Sequence, residues 1–388
     1  MLDSLIIKNF RCLEDFSVEK LGRVNLIVGK NNSGKSTVLE ALRLYAGNAQ
    51  RPVLDAISQE HDEKIRLTDA DRNDPDALLP YQELFSGRRF PSDDSTAIEI
   101  GSIRAIDDRL RIQPAYMETL SEVFADDIKG QTNTRISRRL VPKSEVLAAA
   151  GEISQVLYIS KGSKQLPIVF LSQNFVGSQY ATSESTGGMP CSTVSTQFSS
   201  SDDLADGWDK IVFTKHEQVV KEALQIILPD FDNLTFVRTA GEKSATGKAS
   251  IQRGAKVQLK DVPRPVPLNS LGDGMLRVLQ LALKIFPAKG GFLLIDEFEN
   301  GLHYSVQARV WEVLFEMALR LDIQVFATTH SWDCIESFAK VAHARKDVDG
   351  VLFRVGKSVR TSDRGRVIAT VFDEAALFNI TQNDAEVR

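Results

Sequence analysis

Several residue groups in this chain have the types and spacing to act on a phosphate. Gly29-Lys30-Asn31-Asn32-Ser33-Gly34-Lys35-Ser36-Thr37 fits the pattern Gly, any four residues, then Gly-Lys-Ser/Thr. In such a loop consecutive backbone N–H groups converge on one anion. The lysine reaches the β- and γ-phosphates, and the hydroxyl after it meets Mg²⁺. Asp296 and Glu297 end the apolar run Phe292-Leu293-Leu294-Ile295, and His330 ends the run from Ile323 onward. Gln173 closes a further apolar run, Pro167-Ile168-Val169-Phe170-Leu171-Ser172. The chemistry these types offer is phosphoryl transfer to water. Lys35 would hold phosphate, Ser36 and Asp296 would hold Mg²⁺, and Glu297 would polarise the attacking water. His330 would hydrogen-bond the γ-phosphate or that water, and Gln173 the metal or the water.

A second anion site is suggested by Ser270-Leu271-Gly272-Asp273-Gly274, a serine and two glycines opening a helix. One chain already has its own P-loop, so Ser270, Gly272 and Gly274 point to the completion of another subunit's nucleotide. Glu299 and His303 gain no role from spacing alone.

The elements that must position these groups are legible in outline. Val24, Leu26, Ile27 and Val28 read as a buried strand before the P-loop, and residues 38–44 have helical spacing after it. Two short strands, Leu5-Ile6-Ile7-Lys8-Asn9-Phe10-Arg11 and Phe16-Ser17-Val18, precede that unit and suggest a β-subdomain. Segments 96–100 and 109–112 alternate like strands. Residues 178–203 are dense in Ser, Thr and Gly and read as a long flexible loop. An amphipathic helix is expected over 208–228, a small hairpin layer over 229–268, and helices over 275–286 and 306–319. Ligands of a parallel α/β sheet sit beyond the carboxyl ends of its strands. The runs ending at the P-loop, Gln173, Asp296 and His330 are therefore expected side by side. We divide the chain into an N-terminal lobe, 1–120, an insert, 121–205, and a C-terminal lobe, 206–388.

Composition sets the bounds. The chain has 388 residues, a formal charge of −5, 43% hydrophobic and 26% charged residues. That balance gives no general affinity for polyanions. The basic cluster Arg135, Arg138, Arg139, Lys143 reads as a solvated face. Three scattered cysteines (Cys12, Cys191, Cys334) fit neither a disulfide framework nor a zinc site, and point to a reducing, cytoplasmic setting. Neither a signal peptide nor a membrane-spanning run is evident.

Taken in order, these motifs resemble the ATP-binding-cassette superfamily of ATPases. Gly29 to Thr37 matches Walker A, Phe292 to Asp296 with Glu297 matches Walker B and its catalytic glutamate, and 270–274 matches the signature. Residues 299–303 resemble a D-loop, Gln173 a Q-loop glutamine, and His330 the switch histidine. The opening strand is similar to that of the RecF, SMC and OLD-like branch, where an Asn-Phe-Arg segment lies close to the nucleotide; here that segment ends at Arg11. The signature has the Gly-x-Gly form of OLD-like ATPases, and the gap before it lacks the heptads of SMC arms. The stretch after His330, about sixty residues, is too short for the Toprim domain into which OLD-family nucleases continue. The resemblance implies a P-loop NTPase of ABC-ATPase type, α/β, with a mixed central sheet flanked by helices and an N-terminal antiparallel β-subdomain. It implies ATP and Mg²⁺, head-to-tail homodimers, and a separately encoded effector in bacterial anti-phage or toxin–antitoxin-like systems. The alternative it leaves open is a RecF-like repair ATPase that clamps DNA directly.

Overall fold

The computed structural model describes residues 1–66, 78–126, 131–171, 187–243, 249–363 and 365–372. Side chains are described at all of these positions except 122–126, 131–135, 239–243 and 249–252. The chain opens with β1 (Leu5–Phe10), β2 (Leu13–Val18) and β3 (Val24–Val28), followed by α1 (Lys35–Ala46) and α2 (Arg51–Gln59). Then come β4 (Ile98–Gly101), β5 (Leu110–Asp126), β6 (Gln131–Val141), β7 (Glu152–Lys161), β8 (Lys164–Gln165) and β9 (Val169–Phe170). The middle holds β10 (Cys191–Val194), α3 (Ser201–Asp209), α4 (Lys215–Gln225), β11 (Phe231–Lys243), β12 (Ala249–Leu259) and β13 (Val266–Pro267). The last third runs α5 (Asp273–Ile285), β14 (Phe292–Ile295), α6 (Tyr304–Arg320), β15 (Gln324–Thr329), α7 (Trp332–Ala344), β16 (Gly350–Lys357) and β17 (Val367–Phe372).

These strands form three sheets. The central one has the order β10-β14-β15-β3-β16-β17, parallel throughout except for the last pair. The second is antiparallel, β2-β1-β4-β5-β7-β8, with β6 on β5 and β9 on β7. It is the expected N-terminal β-subdomain, and it extends further than expected: β5 runs through residue 120 unbroken. The third, β11-β12-β13, is the expected hairpin layer.

Alternation along the central strands sorts their side chains into two cores. Leu26, Leu293, Ile295, Val325, Ala327 and Leu352 face the core built with α5, α6 and α7. Ile27, Phe292, Leu294, Phe326 and Phe353 face the other, shared with α1 and the antiparallel sheet. Both faces are covered, so the strands read as continuous apolar runs.

Three expectations are corrected. The run at 167–173 does not join the parallel sheet: β9 pairs with β7 in the antiparallel one. Gln173 itself lies outside the described residues. The strand beside β14 is instead β10, inside the stretch read as a flexible loop, with Val194 opposite Ile295. The helix expected over 208–228 is two, α3 and α4. They are separated by Phe213 at φ 62° and capped anew at Thr214, whose Oγ1 accepts from His216 N–H at 3.2 Å. Glu217 closes the cap by accepting from Phe213 N–H at 2.8 Å.

Trp311 on α6 is fully buried and stacks on Phe298 at 3.9 Å between centroids, just beyond the tip of β14. Trp311→Ala is expected to lower stability by about 3–5 kcal/mol. Urea denaturation measures this, and a midpoint equal to the parent's would show that α6 does not anchor that loop through Trp311.

Candidate active site

Four parallel strands deliver their carboxyl ends to one edge. In spatial order the residues following them are Ser195, Asp296, His330 and Gly29. The register is tight: Val194 lies opposite Ile295, Ile295 opposite Ala327, and Thr329 opposite Val28. Parallel pairing therefore brings together residues some three hundred positions apart.

The P-loop turns sharply after β3. Gly29 is required there, because a Cβ would lie 2.3 Å from Val355 O on β16. Gly34 sits at φ 102°, beside Cys12, and begins α1 without a side-chain cap. The first N–H groups of α1 thus have neither an intrahelical acceptor nor a side chain to meet them, the arrangement an anion completes. Asn31 and Asn32 are exposed and Ser33 is buried, while Ser36 opens outward and Thr37 is half-buried. Lys35 Nζ bends back to donate to Gly29 O at 2.8 Å and Lys30 O at 3.1 Å. Burial pulls its pKa below the usual lysine range, and Asp296, Glu297 and Glu299 pull it back up.

Ser36 Oγ lies 3.2 and 3.3 Å from the two carboxylate oxygens of Asp296. This all-oxygen pair would suit a hard cation such as Mg²⁺. No larger cluster of metal-ligating side chains occurs among the described residues. A cavity of about 130 Å³, lined in part by Ser36, Glu40, Thr193, Ser195 and Asp296, opens beside the pair. Two larger cavities, about 320 and 480 Å³, flank residues 89–94 and contain none of the candidate residues.

The tip of β14 is heavily constrained. Buried Thr328 donates to Asp296 Oδ1 at 2.5 Å and accepts from Glu297 N–H at 2.8 Å. Glu297 has φ 47°, a left-handed conformation uncommon for a residue with a side chain. Its carboxylate is 39% exposed, facing His330 with 3.8 Å between Oε1 and Nδ1.

Two residues without an expected role prove central. Arg277, on α5, is 0% exposed, and its guanidinium donates to Asp296 O and Glu297 O, both at 2.7 Å, and to Ser195 O at 2.6 Å. Burial pushes its pKa down to about 10, against the pull of Asp296, Glu299 and Glu297, so it stays cationic at neutral pH. Glu299 accepts from His330 N–H at 3.0 Å. The signal for Arg277 is a charge inside a run of apolar residues, and the signal for Glu299 is a second carboxylate two residues after Glu297.

Two expected groups are placed differently from the P-loop cluster. Ser270 and Gly272 are exposed at the start of α5, Gly274 packs beneath Gly301, and Ser270 Oγ donates to Pro267 O at 2.6 Å. Arg11 (φ 49°) has its guanidinium committed to carboxylates, 2.5 Å from Glu63 and 2.8 Å from Glu40 of α1.

Several known proteins are similar to this chain. Residues 1–164 match a family described as "AAA ATPase domain". Residues 199–333 match one described as "AAA domain, putative AbiEii toxin, Type IV TA system". The chain is 23% identical over 355 residues to an ATP/GTP phosphatase of Helicobacter pylori, covering 88% of each. It is 50% identical to the OLD nuclease of Thermus scotoductus over 48 residues, 12% of this chain and 9% of that one. Among solved structures it is similar to the SMC head domain from Thermotoga maritima (TM-score 0.42, 11% identity, 96% and 98% of the two chains). A second similar structure is an SMC head bound to the C-winged helix domain of ScpA (TM-score 0.47, 13% identity, 96% and 98%). The chain is a P-loop ATPase of the AAA/ABC type.

Thr328→Val keeps the shape but removes both contacts at the β14 tip. It is expected to lower kcat for ATP about 10- to 100-fold, as loss of a residue supporting a metal ligand does. ATP affinity should stay near the parent value, and a kcat within twofold of the parent's would show that Thr328 does not hold the tip in its working geometry.

Proposed function

We propose that this ATPase assembles head to tail as a homodimer around two ATP molecules, and that the assembly controls a separately encoded effector in a bacterial anti-phage or toxin–antitoxin-like system. The observation that carries the dimer is the open start of α5. Gly272 sits at φ 90° with nothing within 4 Å of a would-be Cβ, and α5 has no side-chain cap. A helix of 13 residues that begins in solvent offers its first N–H groups to an anion. Among the described residues, the side-chain hydrogen bond of Ser270 runs to Pro267 and not to the P-loop of its own chain. A partner's γ-phosphate is the anion that the P-loop arrangement supplies.

In this reading each nucleotide lies on the P-loop of one chain and under 270–274 of the other, contributed by the two lobes, 1–120 and 206–388, with 121–205 as an insert. The backbone of Gly29 to Thr37 cradles the phosphates, and Lys35 leaves its carbonyl partners for the β- and γ-oxygens. Ser36 and Asp296 would hold Mg²⁺, which would supply charge neutralisation on the phosphate. Glu297 takes a proton from the in-line water, and His330 orients either that water or the γ-phosphate. Arg11 stands beside α1, where a nucleotide could draw it from Glu63. The effector reading is supported by the AbiEii-type description of residues 199–333 and by the OLD nuclease match, which is limited to 48 residues. Free thiols at Cys12, Cys191 and Cys334 fit a cytoplasmic setting. Among the described residues, no helix is long and apolar enough to cross a membrane.

Glu297→Gln is expected to bind ATP, lose about 10²- to 10⁴-fold in kcat, and accumulate as a dimer. Lys35→Ala should lose ATP binding and stay monomeric. Light scattering with and without ATP reads both outcomes. A Gln variant that hydrolyses at the parent rate removes Glu297 from the role of base, and one that stays monomeric with ATP bound removes the dimer.

A further inference from the structure

Glu299 stands directly against His330. Its side chain is only 12% exposed, and Oε1 both accepts from the His330 N–H at 3.0 Å and lies 3.2 Å from Nδ1. Oε2 is buried and has no hydrogen-bond partner. Glu297 is the more distant neighbour of the same ring nitrogen, at 3.8 Å. The loop carrying Glu299 is fixed from several sides. Phe298 N–H donates to Thr328 O at 3.0 Å, Leu302 N–H to Glu299 O at 2.8 Å, and the Asn300 amide to Thr196 O at 2.6 Å. A loop cap alone would need only the contact to the main-chain N–H. The approach of the same oxygen to Nδ1 is the additional feature. A fixed carboxylate beside one ring nitrogen of a neutral imidazole decides which nitrogen carries the proton.

We propose that Glu299 is the positioning residue of His330: it holds the proton on Nδ1 and so presents Nε2 as a hydrogen-bond acceptor. This rests on the role given to His330 above and narrows it. A bare Nε2 cannot donate to a γ-phosphate, but it can accept from the attacking water. The His330 side chain is 51% exposed. Glu297, whose carboxylate also faces this ring at 3.8 Å from Nδ1, is then the group that receives the water's proton, and His330 fixes the direction from which the water attacks.

The test is a double-mutant cycle on the full chain, with kcat and KM for ATP measured for the parent, Glu299→Ala, His330→Ala and the double variant. Glu299→Ala is expected to lower kcat about 10- to 100-fold with KM within about twofold of the parent's. In the His330→Ala background the same change should alter kcat by less than about twofold, because its route is gone. Losses that multiply, or a raised KM with unchanged kcat, overturn the proposal. If His330→Ala alone leaves kcat at the parent level, the reading of His330 is what has failed and the proposal falls with it. Glu299→Gln retains an oxygen that can accept both protons and guards against an Ala variant that does not fold. It is expected within about fivefold of the parent kcat, and a Gln variant as slow as His330→Ala overturns the acceptor role.

Discussion

Arg277 carries a charge into a place that water does not reach, and the main-chain oxygens it finds there belong to the tips of β10 and β14. Taking a guanidinium out of water costs several kcal/mol unless its hydrogen bonds are replaced. Three carbonyls and the Gln280 side chain replace most of them, leaving Nε without a partner. The arrangement is stable only while Ser195, Asp296 and Glu297 keep their carbonyls turned inward. That requirement fixes the backbone of Asp296 and Glu297 and helps hold Glu297 in a conformation an isolated loop would leave. The strain at Glu297 is thus borne by α5 on one side and by Thr328 of β15 on the other.

The same edge explains why the site needs both halves of the chain. β3 comes from the first thirty residues, while β14 and β15 come from the last hundred, and the parallel pairing of β15 with β3 closes the gap. Because the central sheet is buried on both faces, a one-residue slip would drive Phe292, Leu294 and Phe326 into the wrong core and move Asp296 away from Ser36. Hydrophobic register therefore also sets the spacing between Ser36 and Asp296.

The P-loop, the carboxylates after β14 and the histidine after β15 were legible because each carries a local signal: a fixed glycine pattern, or an apolar run that ends abruptly in a polar residue. β10 was not. Cys191-Ser192-Thr193-Val194 is four residues long, has two polar residues side by side at its centre and is set among serines, and only its long-range pairing with β14 makes it a strand. The Gln173 run was misplaced for the opposite reason, since an apolar stretch does not say which sheet it joins. The break between α3 and α4 did have a signal, because Thr214 and Glu217 are spaced as a capping box. Arg277 and Gln280 look like the polar stripe of an amphipathic helix, yet α5 is buried nearly all round, so they face the loop after β14 and the 195–199 segment instead of solvent.

One helix therefore answers to two demands. The exposed start of α5 abuts the loop carrying Glu299: a Cβ on Gly274 would lie 3.1 Å from Gly301 O, and one on Gly301 would lie 3.3 Å from Asp273 O. About one turn further along, Arg277 grips the carbonyls of Asp296 and Glu297. Close packing at the first point and buried charge at the second leave little room for α5 to shift without moving both Glu299 and Glu297. Those two carboxylates are the ones that face His330. The geometry of the outward-facing glycines and that of Glu297 are consequently both set by α5, with only a few residues between the two contacts.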